Sequence, residues 1–392
     1  MHLRTLVLIC VLSLAFGQDR KITPTLNPNC EACSSNTTLV YIKAEGSHNT
    51  IHQLWDFTQG TPTIIFAVSG VNSSLQVEWA HDRPVKFNMS EDPSYSFAMA
   101  ISDIYEYNDL EDRGHPNSST KFRHYPLKEL NWARQESVLT EQEAMVVMQT
   151  EKYSRHRNGT VAIKLDLLPF RDYAVQLPHL IHTANSTFID VQLANLTQTR
   201  DFNSSRFALR LILVASDENG TLSRRVEKSL DDEHTPGVFE IIEIKTPRCV
   251  TTGAGGYMQF RPVAYIQKER SVTSSTVVHV SDFNSTHIVP PSTLTRFYPD
   301  INEMLIEDMI VSFGEPQDGF YRQHNYTAWS TTFGYGAPPV ETFSLFVILV
   351  ITVGLSVPIL LALSGVAYVV ARRCRRGRGR GSETTRLRER DE

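Results

Sequence analysis

TFSLFVILVITVGLSVPILLALSGVAYVVA, residues 342–371, is thirty residues long and carries no charge. Crossing a hydrocarbon core about 30 Å thick takes roughly 20 helical residues, and in lipid every backbone N–H and C=O must be satisfied within the segment. The stretch is therefore expected to be a membrane-spanning helix, and the rest of the chain is arranged around it. RRCRRGRGRG follows at once, and arginines beside a span mark its cytosolic side. Residues 372–392 then form a basic cytosolic tail, and everything before the span lies on the other side. Inside the span, Pro358 is expected to bend the helix, while Gly354, Ala362, Ser364, Gly365 and Ala367 would allow close helix contact.

The other end of the chain agrees. Residues 1–17 carry Arg4, an apolar core LVLICVLSLAF, and Ala15 and Gly17 at the small-residue positions of a cut before Gln18. About a dozen apolar residues is too short to span, so this reads as a cleaved signal peptide. The expected product is a single-pass type I protein with a lumenal or extracellular region over residues 18–341. Charge divides unevenly: the tail holds nine Arg against four acidic residues, and removing it and Arg4 leaves 28 basic and 39 acidic residues, a net charge near −11. Nucleic-acid binding is excluded, because phosphate contact needs a basic face. An acidic exterior suits an acidic compartment, where partial protonation reduces self-repulsion.

Eleven Asn-x-Ser/Thr sequons fall at Asn36, Asn72, Asn88, Asn117, Asn158, Asn185, Asn195, Asn203, Asn219, Asn284 and Asn325. All lie between the signal peptide and the span, and none has Pro at the middle position, so a glycan coat is expected. Its physical effect is steric, keeping proteases from the backbone. Cys10 leaves with the signal peptide and Cys374 is cytosolic, which leaves Cys30, Cys33 and Cys249. An odd number leaves one thiol free or paired between chains. The CxxC at Cys30 lacks the strand before it and the helix after it that redox chemistry uses, so its role reads as structural.

The region between reads as mostly β. Residues 38–44, 63–69, 74–80, 95–104, 160–168, 187–194, 206–215, 238–244, 258–267, 272–280 and 307–313 are short β-branched or aromatic runs, several alternating polar with apolar. Turn formers such as Gly70, Asn158-Gly159 and Asn219-Gly220 separate them. Strands without intervening helices predict an antiparallel β-sandwich-type ectodomain, as one large or two packed units, with an internal boundary at 170–178. One helix is expected over 141–153, opened by a capping box at Thr140 and Glu143 with Met145, Met148 and Lys152 at helical spacing. Residues 108–119 read as a loop.

Candidate chemistry is sparse. Asp231, Asp232, Glu233 and His234 form the densest polar cluster, but consecutive strand residues point alternately and do not converge on one ion. A solvated turn ended by Pro236 accounts for them better than a metal or acid–base site. Gly253-Ala254-Gly255-Gly256 has no Walker lysine and reads as a turn. No cofactor or metal is called for, and no sequence motif supports catalysis. Phe320, Tyr321, Tyr326 and Trp329, close before the span, fit two roles equally: a last strand with an interfacial anchor, or a docking surface for a neighbouring membrane protein. Cys374 at the membrane edge is a candidate for palmitoylation.

Residues 229–239 (SLDDEHTPGVF), 259–268 (QFRPVAYIQK), 319–324 with Ala328-Trp329-Ser330, and Ala337-Pro-Pro-Val340 resemble the glycosylated lysosomal membrane protein family. Fainter echoes lie at Ile51-His-x-x-Trp55 and Leu180-Ile-His-Thr-Ala184. The resemblance implies lysosomal residence and an accessory role, in which the chain partners a multispanning major-facilitator transporter and shields it from proteolysis. A homodimer through the lumenal domain is a candidate assembly. The family pattern of a C-terminal tyrosine signal is not met, since Tyr368 lies inside the span. Glu383-Thr-Thr-Arg-Leu387 continues with Arg388 where an acidic dileucine signal needs a second apolar residue, so travel with the partner is the natural substitute. The alternative is a membrane-anchored lysosomal hydrolase or lipid-binding module, which would need a concave site with convergent polar groups. A third reading, a cell-surface adhesion or receptor ectodomain, would predict plasma-membrane residence.

Overall fold

The computed structural model describes residues 20–217, 220–229, 235–250, 252–287, 289–340 and 345–388, with the side chains of 345–347 and 374–388 outside the description. The expected signal peptide, residues 1–17, and the cluster at 231–234 fall outside the described residues. The chain divides into two units, Met1–Pro339 and Val340–Glu392.

The first unit is antiparallel β throughout. Its strands begin with β1 (Lys21–Leu26), β2 (Leu39–Glu45), β3 (Thr50–Asp56), β4 (Thr63–Ser69), β5 (Leu75–Ala80), β6 (Arg83–Met89), β7 (Tyr95–Asn108) and β8 (Phe122–Pro126). Next come β9 (Ala133–Leu139), β10 (Ala144–Ser154), β11 (Arg157–Leu167), β12 (Asp172–Tyr173), β13 (Ile181–His182) and β14 (Ser186–Ala194). The last are β15 (Ser205–Ala215), β16 (Ser223–Lys228), β17 (Glu240–Lys245), β18 (Gly256–Phe260), β19 (Val263–Tyr265), β20 (Ser275–Val280), β21 (Asn284–Ser285), β22 (Leu305–Phe313) and β23 (Tyr326–Tyr335).

Two sheets result. The first runs β1-β2-β3-β4-β7-β15-β22, with β8 beside β4 along the long β7 and with β20 and β21 on the far side of β22. The second runs β9-β10-β11-β14-β23 and continues through β18 to β17 and β16, with β19 next to β18 along β23. Strand β20 belongs to both, pairing Val277 with Val263 of β19 and Val278 with Phe313 of β22. One side of the sandwich is sealed by backbone hydrogen bonds in this way, which removes an exposed strand edge.

The core sits between the sheets. In β2, Val40, Ile42 and Ala44 face it, as the period of two requires. Leu39 and Tyr41 point the other way, into a second apolar cluster with Leu54, Ile65, Ala98 and Ile212. That outer cluster is covered by the β5–β6 hairpin, through Leu75 and Val77, and by the segment around the short helix Leu294–Phe297. The first sheet is therefore buried on both faces there, and β3 and β4 are buried at every position.

The expected helix at 141–153 is a correction. Those residues form a turn and strand β10, with Ala144 opposite Leu139 and Val146 opposite Ser137. The Thr140 hydroxyl accepts from the backbone of Gln142 (3.2 Å) and Glu143 (3.1 Å), the bonds a cap would make, and the Thr140 N–H donates to the Glu143 carbonyl (2.9 Å). A Ser/Thr turn closing a hairpin uses the same chemistry as a helix cap, and the alternating burial of Ala144, Val146 and Met148 decides between them. Residues 169–178 lie within the first unit, in the excursion between β11 and β14 that carries β12.

The second unit is one helix, Leu345–Arg388, whose apolar window Ile348–Arg373 is 26 residues long. At about 1.5 Å per residue that exceeds a hydrocarbon core of about 30 Å. Pro358 lies inside it.

Candidate functional site

The sequons identify the surface on which function is sought. Of the ten sequon asparagines among the described residues, eight are exposed: Asn36, Asn72, Asn117, Asn158, Asn195, Asn203, Asn284 and Asn325. They sit at turns and strand ends. Asn72, Asn195 and Asn325 have φ of 67°, 53° and 54°, the left-handed conformation that asparagine tolerates better than other L-residues. Asn158, Asn195 and Asn325 meet at one end of the second sheet, where the Asn195 N–H donates to the Asn325 carbonyl (2.7 Å) and the Thr197 N–H to the Asn158 carbonyl (2.9 Å). Asn88 and Asn185 are half-buried, the first bonded to Glu78 and the second to Arg20. Asn219 and the side chain of Cys374 lie outside the described residues.

The four aromatic candidates separate. Trp329 is 2% exposed and packs edge-on against Phe260 at 5.3 Å. Tyr326 is buried beside it on β23, which is buried along its whole length between β14 and β18. Tyr321 is buried too, its hydroxyl donating to the Leu193 carbonyl and accepting from the Leu196 N–H, both at 3.2 Å. These three side chains are committed to the core, a correction to the docking-surface expectation: β23 is a central strand rather than a peripheral one. Phe320 alone is half-exposed, with the Arg206 guanidinium 5.3 Å from its ring centre.

Beneath the surface lie polar clusters formed by residues far apart in the chain. Arg206, on β15, binds Asp109 (2.8 Å), Asp112 and Asp318, and is itself 3% exposed. Burial alone would lower its pKa; hydrogen bonds and charge from Asp318, then Asp109, reverse this and hold it above the ordinary arginine value. Arg270 pairs with Asp190 at 2.8 Å over the outer face of the second sheet. Glu106 is fully buried and accepts from the Tyr125 hydroxyl, the Thr199 N–H and the Ser205 hydroxyl, all at 2.7 Å. Burial raises the pKa of Asp56, which is bonded to Thr293 and to the Thr58 N–H, to about 7.

His52 is the nearest approach to catalytic geometry. Its Nε2 lies 2.8 Å from the hydroxyls of Ser69 and Ser73, and its Nδ1 lies 2.8 Å from the Tyr41 hydroxyl. A base beside a serine needs an open face on which a carbonyl can be attacked. His52, Ser69 and Ser73 are 1%, 2% and 4% exposed, however, and Tyr41 lies in the apolar layer under β5 and β6. Burial lowers the His52 pKa to about 4, so the ring is a neutral internal hydrogen-bonding hub.

Cys30 and Cys33 are joined in a disulfide within a tight turn, which supports the structural role. Gly253, at φ 66°, forms a turn in which its N–H donates to the Cys249 carbonyl (2.8 Å). Among the described residues no group of three or more His, Cys, Asp or Glu is arranged to hold a metal ion.

The family model described as glycosylated lysosomal membrane protein matches residues 38–376. Glycosylated lysosomal membrane protein B of Xenopus laevis is 28% identical over 385 residues, covering 93% of this chain and 94% of its own length. The Danio rerio protein of the same family is 27% identical, covering 90% and 89%, and the Homo sapiens one 24%, covering 89% and 87%. The matched span takes in both the β-rich unit and the apolar helix, in keeping with a single-pass lysosomal membrane glycoprotein with a large N-terminal domain. The chain belongs to the glycosylated lysosomal membrane protein family.

Proposed function

We propose that this protein is a non-catalytic accessory subunit of a lysosomal major-facilitator transporter, which it binds and protects from proteolysis through its glycan-bearing lumenal domain. The observation that carries the reading is the placement of the sequons: eight exposed asparagines over a body whose polar clusters are internally satisfied. Glycans there make a polar, bulky exterior on a backbone already paired into strands, and both properties resist proteases. A single helix with small residues at Gly354, Ala362, Ser364, Gly365 and Ala367 is suited to pack against other membrane helices. The sealed state of the His52 cluster favours this reading over a hydrolase.

The test is quantitative proteomics of lysosomes purified from cells with and without the protein. Selective loss of one multispanning transporter, with its transcript unchanged, is the expected result. Unchanged transporters together with an accumulating lumenal metabolite or lipid would reject it and favour a hydrolase or binding module.

A further inference from the structure

Where β20 and β21 run beside β22, a groove of about 820 Å³ opens between these strands of the first sheet and β16 and β17 of the second, within the roughly 300–1,000 Å³ of sites that hold small ligands. Its floor is apolar, formed by Phe122, Val226, Ile242 and Ile310, and its rim carries Arg224 and Asp282. Val226 is 56% exposed although it belongs to a paired strand. Phe122 lies 5.0 Å from the ring of Tyr105, which fixes it in place. Arg224 donates to the carbonyls of Val280 (3.0 Å) and Ser281 (3.1 Å) and pairs with Asp282 (3.1 Å), so the rim is rigid. An open apolar floor inside a polar rim marks a surface that something covers.

Two sequon asparagines, Asn117 and Asn284, line this groove. Asn117 is held in one conformation. Its Oδ1 accepts from the Ser119 N–H (2.9 Å), the Ser119 hydroxyl (2.7 Å) and the Thr120 hydroxyl (3.1 Å), and its own N–H donates to Thr120 Oγ1 (2.8 Å). All three acceptor bonds fall on Oδ1. They fix the amide plane, and with it the direction of Nδ2, the atom that carries an N-linked sugar.

We propose that the groove is the binding site of the chain's own N-linked glycan at Asn117. The first N-acetylglucosamine rings lie with their C–H faces on Phe122, Val226 and Ile310, and their hydroxyl and acetamide groups meet Arg224, Asp282 and His279 at the rim. The inference rests on the reading of the sequons as occupied. A ligand tethered at the rim binds at high effective concentration, so modest contacts suffice. A preset asparagine further lowers the ordering cost. This glycan is then part of the fold: it covers the strip where the two sheets are joined.

The experiment is site-resolved release of glycans from the full-length, natively folded protein by a peptide-N-glycosidase in heavy-oxygen water, followed by mass spectrometry. Release at Asn117 is expected to be about tenfold slower than at Asn36, Asn158 and Asn195, the factor that ~1.4 kcal/mol of docking gives. In denaturant the rates should become equal. Val226→Asp, which charges an exposed floor position, should speed release at Asn117 alone, and Asn284→Gln should leave it slow. Equal native rates would overturn the proposal. So would slow release that survives Val226→Asp, which would assign the effect to the Asn117 turn, or slow release lost in Asn284→Gln, which would make the neighbouring glycan the cause. An empty Asn117 among occupied sequons overturns it and spares the glycan-coat reading, whereas sequons empty throughout overturn both.

Discussion

The two sheets are built from similar antiparallel strands but carry different burdens. The first is sandwiched between the core and the layer made by β5, β6 and the segment around Leu294–Phe297, so few positions on its central strands meet water. Any polar group there must find its partners inside, and His52, Asp56, Glu106 and Arg206 are all on or beside its strands. The second sheet keeps a wetter outer face: β11 alternates buried and half-buried residues, and three exposed sequons meet at one of its ends. The first sheet thus holds its buried polar groups on internal partners, while the exposed sequons sit at turns and strand ends, where a sugar would disturb no packing.

The largest expected effect is at Arg206. Arg206→Met leaves Asp109 buried without its counter-charge and should cost about 3–5 kcal/mol. Lys164, which is 37% exposed and pairs with Asp166 on the second sheet, should cost no more than about 1 kcal/mol when changed to Met. Denaturant unfolding of both variants checks the contrast, and equal costs would break it. Trp329→Ala should also cost about 3–5 kcal/mol because it empties a core site. Phe320→Ala should cost about 1 kcal/mol, since it removes a half-exposed ring and its contact with Arg206. Comparable melting points for these two would return Trp329 to the surface.

Acidity sharpens the same picture. Burial raises the folded-state pKa of Asp56 to about 7, above its ordinary 3.8. Its contribution to stability is therefore full below about pH 3.8 and lost as pH rises to 7. His52 runs the other way: lowered by burial to about 4 from 6.5, it contributes stability above pH 6.5 that is lost as pH falls through 4. Asp56→Asn should remove the acid-side gain and leave a melting temperature that falls from pH 7 to pH 4.5, whereas His52→Gln should make it rise. Thermal melts of the two variants across that range test the signs. At the small end, in unglycosylated protein Asn158→Gln should shift stability by no more than about 0.5 kcal/mol, as exposed substitutions do, while Asn195→Gln and Asn325→Gln should each cost about 1 kcal/mol, because glutamine tolerates the left-handed backbone there less well than asparagine.

The strands with clear alternation or β-branched runs were legible: residues 63–69 coincide with β4, and 206–215 with all but the first residue of β15. Strand β3, TIHQLWD over Thr50–Asp56, mixes polar with apolar residues and hides because both its faces are buried and neither keeps a polar rhythm. Strand β10 was masked by a threonine whose side chain serves a turn and a cap equally well. The Arg206 cluster could not be read at all, since Asp109 and Asp318 are 97 and 112 residues from it in the chain. Sequons were legible as a surface because their chemistry demands exposure, and the fold supplies it at eight of the ten described positions.

The most direct test of the account is the half-life of the lysosomal transporter that the proposed function assigns to this chain as its partner. It is measured in cells lacking the protein and re-expressing either the wild type or the triple variant Asn158→Gln, Asn195→Gln, Asn325→Gln. The account predicts that the variant still co-purifies with the transporter, that the transporter's half-life shortens, and that inhibiting lysosomal proteases restores it. A transporter as long-lived beside the variant as beside the wild type would contradict shielding by the glycan-bearing surface.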